Sequence, residues 1–185
     1  KEMLNWGAAL PTGHPLRERY PHRYGDPLFP SGHIPESTHV LSTFHDNLVD
    51  LQTRFLRIIA TGIGANANFF DTMLKHGSHL TRAINYPPMS EAPNGGNDGH
   101  VWAEEHGDIN LITALPRATS RGLQVRVDDR WVDATAPDGY VIINTGIMLE
   151  RLTNGLIPVG WHRVVADPNE PQGRLSVVQF CHPTP

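Results

Sequence analysis

From residue 79 onward the helical spacing of apolar residues gives way to short apolar runs broken by turn residues. “HLTRAINYPP”, “HVWAEEHGDINLITAL”, “GLQVRVDDRWVDAT”, “GYVIINTG”, “GWHRVVAD” and “RLSVVQFCHP” each carry the composition of a strand or a hairpin. Asp128-Asp129 falls where a tight hairpin turn is required. “MSEAPNGGNDG” reads as a loop and “IMLERLTNG” as one or two helical turns. Six or seven short strands with turns about every eight to fifteen residues must shield two faces and two edges, so they close into a barrel or a sandwich.

Upstream, “STHVLSTFHDNLVDLQTRFLRIIATGIG” places Val40, Leu41, Phe44, Leu48, Leu51, Phe55, Leu56, Ile58 and Ile59 along one helical stripe. Ser37 or Thr38 suits the N-cap, and Gly62 the stop. “ANFFDTMLKHG” reads as a shorter helix ended by Gly77. Leu10 to Glu36 is dense in proline, which predicts irregular packed loop rather than helix. The expected architecture is mainly β with flanking helices: one domain over residues 1–185, with loop and helical support over 1–77 and the barrel core over 78–185.

Composition removes several function classes. A chain of 185 residues with 15 basic and 19 acidic side chains, net charge −4 and no Lys/Arg run has no electrostatic footprint for nucleic acid or an anionic membrane. No apolar run approaches the roughly 20 residues that span a bilayer. The single cysteine, Cys181, excludes an internal disulfide and a CxxC zinc motif, which fits a reducing cytoplasmic setting. The chain opens at Lys1 inside structured-looking sequence, so it reads as a piece of a longer protein. Of its eleven histidines, His14, His22, His33, His39, His45, His76, His79 and His100 sit in polar or loop-like settings and read as solvated or hydrogen-bonded.

“AEEHGDINLIT” stands apart. Read as one strand, it projects His106, Asp108 and Asn110 to the same face, a costly placement unless a metal, an ion-pair partner or water meets them. Two donors cannot complete a metal site, and His162, in the apolar run “HRVV”, supplies a third. Two imidazoles and one carboxylate form the facial set that holds ferrous iron and leaves three positions open. Zinc accepts the same donors. Arg174 and Ser176 lie on one face of a later strand and form a fork for a carboxylate, which iron alone does not require. A dicarboxylate held by the metal at one end and by Arg174 at the other would require it.

The order HxD, distant His, RxS resembles the isopenicillin N synthase-like branch of the iron(II)/2-oxoglutarate-dependent oxygenases. “INYPP”, “GLQV”, “WVDATAPDGYVIINTG”, “LERLTNG” and “HRVV” extend the likeness over roughly residues 78 to 183. The resemblance implies a double-stranded β-helix, a jelly-roll or cupin-like barrel, with Fe(II) held by His106, Asp108 and His162. It further implies that Arg174 and Ser176 bind the distal carboxylate of 2-oxoglutarate, with Tyr86 as a further donor and Asn85 as a weaker candidate. The activity it implies is oxidation of a small-molecule metabolite by hydroxylation, desaturation or cyclisation, with 2-oxoglutarate and O₂ converted to succinate and CO₂. Retention of Asp108 argues against halide transfer. Two alternatives are an oxidase of the same fold that takes all its electrons from substrate, and a non-catalytic ligand-binding jelly-roll. Two departures stand out: Gly107 where relatives often carry Thr, a slot expected to face away from the metal, and Gly146-Ile147 where the family has Gly-Asp, which removes an Asp able to cap the next helix.

Overall fold

The computed structural model describes residues 1–91, 101–167 and 172–185. They form two compact units, one of residues 1–4 with 82–178 and the other of residues 5–81 with 179–185.

Most strand residues fall in the first unit. In chain order the elements are β1 (Glu2–Trp6), α1 (Pro15–Arg19), α2 (Pro21–Tyr24), α3 (Ser37–Gly62), α4 (Asp71–Leu74), β2 (Leu80–Tyr86), β3 (Val101–His106), β4 (Ile112–Pro116), β5 (Leu123–Val127), β6 (Arg130–Asp133), β7 (Val141–Thr145), α5 (Ile147–Leu152), β8 (His162–Val165) and β9 (Arg174–Cys181). One sheet runs β1-β2-β9-β4-β7 and the other β3-β8-β5-β6. From β2 onward the chain passes back and forth between the sheets, and only the β5–β6 hairpin stays within one. That alternation is the winding of a double-stranded β-helix. Inward-facing Ile84, Tyr86, Leu123 and Val164, joined by Trp102, Leu115, Ile142 and Val178, form a core drawn from both sheets. The hairpin turns where expected: Asp128 and Asp129 adopt φ of 46° and 61°, the left-handed pair that matches strand twist.

The second unit is helical. α3 covers the expected span, but Glu36 and Ile63 stand at its caps in place of Ser37 or Thr38 and Gly62, no side chain caps its start, and its buried face differs. Ser37, His45, Leu48, Gln52, Leu56 and Ala60 face inward, while Val40 and Ile58 are exposed. Three of those inward positions are polar, and for His45 and Gln52 partners within the unit take up part of that polarity. Gln52 donates to Gln179 Oε1 at 2.8 Å, Gln179 donates to the His45 carbonyl and to Thr81 Oγ1, each at 2.9 Å, and His45 Nδ1 lies 2.7 Å from Thr81 Oγ1. His45 and His79 are both buried rather than solvated, and His45 meets the hydrogen-bonded half of the expectation through Thr81.

Two further expectations are corrected. The proline-rich stretch contains two short helices, each opened by its proline (Pro15, Pro21), where the missing N–H costs nothing. The helix expected over “ANFFDTMLKHG” shrinks to the single turn of α4. Of the loop expected at 89–99, Met89–Glu91 form a 3₁₀ turn and the remainder lies outside the described residues.

Candidate active site

β3 ends at His106, and Gly107 and Asp108 have already left the sheet. The reading of one continuous strand from 106 to 112 is thus corrected: the chain crosses between sheets here, entering β4 at Ile112. Asp108 and Asn110 are buried in that crossing, whereas His106 is exposed.

Strand pairing brings the distant histidine in. His106 and His162 are partners across β3 and β8, and their ring centroids lie 4.2 Å apart. His106, Asp108 and His162 each offer a donor atom within 4.8 Å of the other two, the sole such cluster among the described residues. His162 Nε2 stands 3.9 Å from Asp108 Oδ1, too far for a hydrogen bond.

The tautomer of each neutral ring follows from its neighbour. His106 Nδ1 lies 2.6 Å from the Glu104 carbonyl and His162 Nδ1 lies 3.0 Å from that of Gly160. A carbonyl only accepts, so each Nδ1 carries the hydrogen and each Nε2 presents a lone pair to the cluster. Backbone carbonyls that fix the imidazole tautomer in this way are the usual companions of metal-bound histidine. The donor set fits a divalent transition metal.

Helix α5 locks the crossing in place. The Gly146 amide donates to the Leu111 carbonyl at 2.9 Å, the Ile147 amide to that of Asp108 at 2.8 Å, and the Met148 amide to those of Ile109 and Asn110 at 3.1 and 3.2 Å. These bonds give partners to the N–H groups of Gly146, Ile147 and Met148 at the helix start, a task a capping Asp would otherwise share. A side chain at Gly146 would overlap the Asn110 carbonyl, and this contact demands glycine.

Arg174 and Ser176 open β9 and are both buried, 3% and 2% exposed. The Arg174 guanidinium lies 5.6 Å from the centre of the Tyr86 ring, which stacks on Trp102 at 5.3 Å. Arg174 Nε is buried with no hydrogen-bond partner among the described residues. A buried, incompletely paired cation is costly, and an incoming carboxylate relieves that cost. A cavity of about 360 Å³ reaches Arg174, lined also by Leu115, Leu123 and Ile142. Burial pushes the Tyr86 phenol up, so its hydroxyl keeps its proton. Asn85 is elsewhere: exposed, it donates to Glu2 at 3.0 Å.

Thr113, Asn144 and Gly160 crowd the same cluster, and sequence reasoning singled out none of them. The one available signal was polarity inside apolar runs, at Thr113 in “LITAL” and Asn144 in “VIINT”.

A double-stranded β-helix with a His-X-Asp turn and a paired distant histidine defines the class of jelly-roll proteins built for one mononuclear metal. The chain belongs to the 2OG-Fe(II) oxygenase superfamily, which it matches over residues 77–183. It is 30% identical to 2'-deoxymugineic-acid 2'-dioxygenase of Hordeum vulgare over 78% of this chain and 41% of that enzyme. It is 33% identical to isopenicillin N synthase of Amycolatopsis lactamdurans over 69% of this chain and 39% of that enzyme. A full-length Neurospora crassa protein, crystallised in complex with alpha-KG, superposes with a TM-score of 0.82 at 30% identity, covering 98% of this chain and 54% of that one. The chain thus spans less than half the length of those two curated relatives.

Proposed function

We propose that the chain carries the catalytic core of an Fe(II)/2-oxoglutarate-dependent dioxygenase acting on a small-molecule metabolite. The observation that carries this reading is the convergence of two tautomer-fixed imidazoles and the Asp108 carboxylate, in a unit that also buries an arginine with an unpaired Nε.

His106, Asp108 and His162 would hold the metal. Arg174 and Ser176 would bind the distal carboxylate of 2-oxoglutarate, and the protonated Tyr86 phenol would add a donor nearby. When bound, Fe(II) with 2-oxoglutarate and O₂ supplies an oxidation in which 2-oxoglutarate leaves as succinate and CO₂. Ile109 and Trp161, each next in sequence to a proposed ligand, expose 68% and 41% of their surface. That apolar flank supports a substrate with an apolar or planar face. The same Neurospora crassa protein has also been solved with thymine, so one structural relative receives such a molecule.

The test supplies the purified protein with Fe(II), 2-oxoglutarate and O₂ and screens small carboxylic and heterocyclic metabolites for stimulated succinate release. Substrate-stimulated succinate, lost in His162→Ala, is expected. Oxidation of a metabolite without succinate would overturn the 2-oxoglutarate role and leave Arg174 to a substrate carboxylate. Failure of the protein to bind either Fe(II) or 2-oxoglutarate would overturn the whole reading.

A further inference from the structure

Thr113 and Asn144 are partners across β4 and β7, and both reach the same oxygen of Asp108. Thr113 Oγ1 donates to Asp108 Oδ2 at 2.6 Å, and Asn144 Nδ2 donates to it at 3.4 Å. The Thr113 hydroxyl is itself oriented: Asn110 Nδ2 donates to it at 3.1 Å, which directs its own hydrogen toward the carboxylate. Asn110 is fixed in turn by donating to the Ile112 carbonyl at 2.6 Å. Thr113, Asn110 and Asp108 are all buried, so water does not compete for these bonds. The other oxygen, Oδ1, faces His162.

Asn144 fits only because residue 160 is glycine. A Cβ there would overlap the Asn144 side-chain oxygen. The Gly160 carbonyl, meanwhile, holds the His162 ring. One backbone position therefore serves both the imidazole and the amide beside the carboxylate.

We infer that Thr113 is a positioning residue that, with Asn110 and Asn144, commits Asp108 Oδ2 to hydrogen bonds and leaves Oδ1 alone to bind the metal. This rests on the metal site proposed above. A two-histidine, one-carboxylate set leaves three positions open only while the carboxylate binds through one oxygen. A carboxylate turning to bind through both would take one of them. The 2.6 Å bond is a short, charge-assisted O–H···O⁻ contact, roughly twice as strong as a neutral one, and it opposes that turn.

The test uses Co(II) as probe on the metal-free protein, with Thr113→Val, which keeps the shape and removes the hydroxyl, and Thr113→Ser, which restores it. Thr113→Val is expected to weaken Co(II) binding about 10- to 100-fold and to alter the Co(II) visible spectrum as the coordination number changes. Thr113→Ser is expected to recover the wild-type spectrum and most of the affinity. Wild-type affinity and spectrum in Thr113→Val would overturn the inference. Should that variant not fold, Asn144→Ala carries the test through the same spectrum, and an unchanged spectrum there overturns it. If the wild-type protein itself fails to bind Co(II), the metal site falls, a result distinct from failure of the Thr113 role alone.

Discussion

Gly107 lies beneath Val159: a Cβ at residue 107 would stand 2.8 Å from Val159 Cγ2, with Ile147 side-chain atoms just beyond at 3.6 and 3.7 Å. Position 107, between two proposed metal ligands, is closed to a side chain by that valine. Overpacking of this kind typically costs about 1–3 kcal/mol. Gly107→Thr should lower stability by that amount in denaturant unfolding and weaken Co(II) binding by shifting His106 and Asp108. Adding Val159→Ala should recover most of both losses. Equal stability of Gly107→Thr and wild type would show that Val159 yields freely.

Arg174 offers a sharper separation of roles. Truncation to Ala removes the proposed carboxylate fork while leaving the metal cluster untouched. A charge-assisted hydrogen bond is worth about 1.5–3 kcal/mol, so the 2-oxoglutarate requirement should rise about 10- to 100-fold with Fe(II) affinity unchanged. Because the wild-type guanidinium is buried with Nε unpaired, removing it should not lower the stability of the ligand-free protein by the several kcal/mol that breaking a buried pair costs. Equal losses of 2-oxoglutarate and Fe(II) affinity would count against the fork.

The helical unit sets an acid limit. Burial, with His45 and His182 nearby, holds the His79 imidazole down to about 4, and burial also lowers that of His45. Each ring stays neutral when folded and gains a proton at about pH 6.5 when unfolded. Stability is therefore full above about pH 6.5 and falls as pH drops toward 4, by on the order of 3 kcal/mol for His79. Urea midpoints across this range should show the decline, and His79→Gln should flatten it. An unchanged pH profile in that variant would place the acid sensitivity elsewhere.

What the amino-acid sequence disclosed depended on whether the deciding partner was close along the chain. The Asp128-Asp129 hairpin, the span of α3 though not its caps, and the runs around His162 and Arg174 rest on local alternation and turn chemistry, and were legible. Strand β1 was not, because five residues with no preceding turn signal carry too little pattern. The inward face of α3 is not legible locally, because Gln52 and His45 meet Gln179, which lies 127 residues beyond Gln52. The His106–Asp108 pair was identified as a donor set but placed on a strand. Gly107 ends the sheet there, and nothing local in the sequence shows that α5 amides wait to receive the carbonyls of the crossing. Thr113 and Asn144 escaped notice for the same reason, since each acquires meaning only when β4 pairs with β7.

Two glycines with left-handed backbones allow conformation and contact to be told apart. Gly139 has φ of 79° and nothing within 4 Å of the place a Cβ would take, whereas Gly173, at φ of 73°, would drive a Cβ into the Tyr86 carbonyl. Gly173 also receives the Ser120 hydroxyl on its own carbonyl at 3.1 Å and immediately precedes Arg174. Gly139→Ala should cost only the conformational term, about 1 kcal/mol, and leave 2-oxoglutarate binding alone. Gly173→Ala should cost distinctly more, because the start of β9 must move away from Tyr86. That movement carries the Arg174 side chain with it, so the 2-oxoglutarate requirement should rise while Co(II) affinity at His106, Asp108 and His162 holds. Identical behaviour of the two variants in unfolding and in 2-oxoglutarate titration would show that the close approach of Gly173 to Tyr86 does not position the arginine.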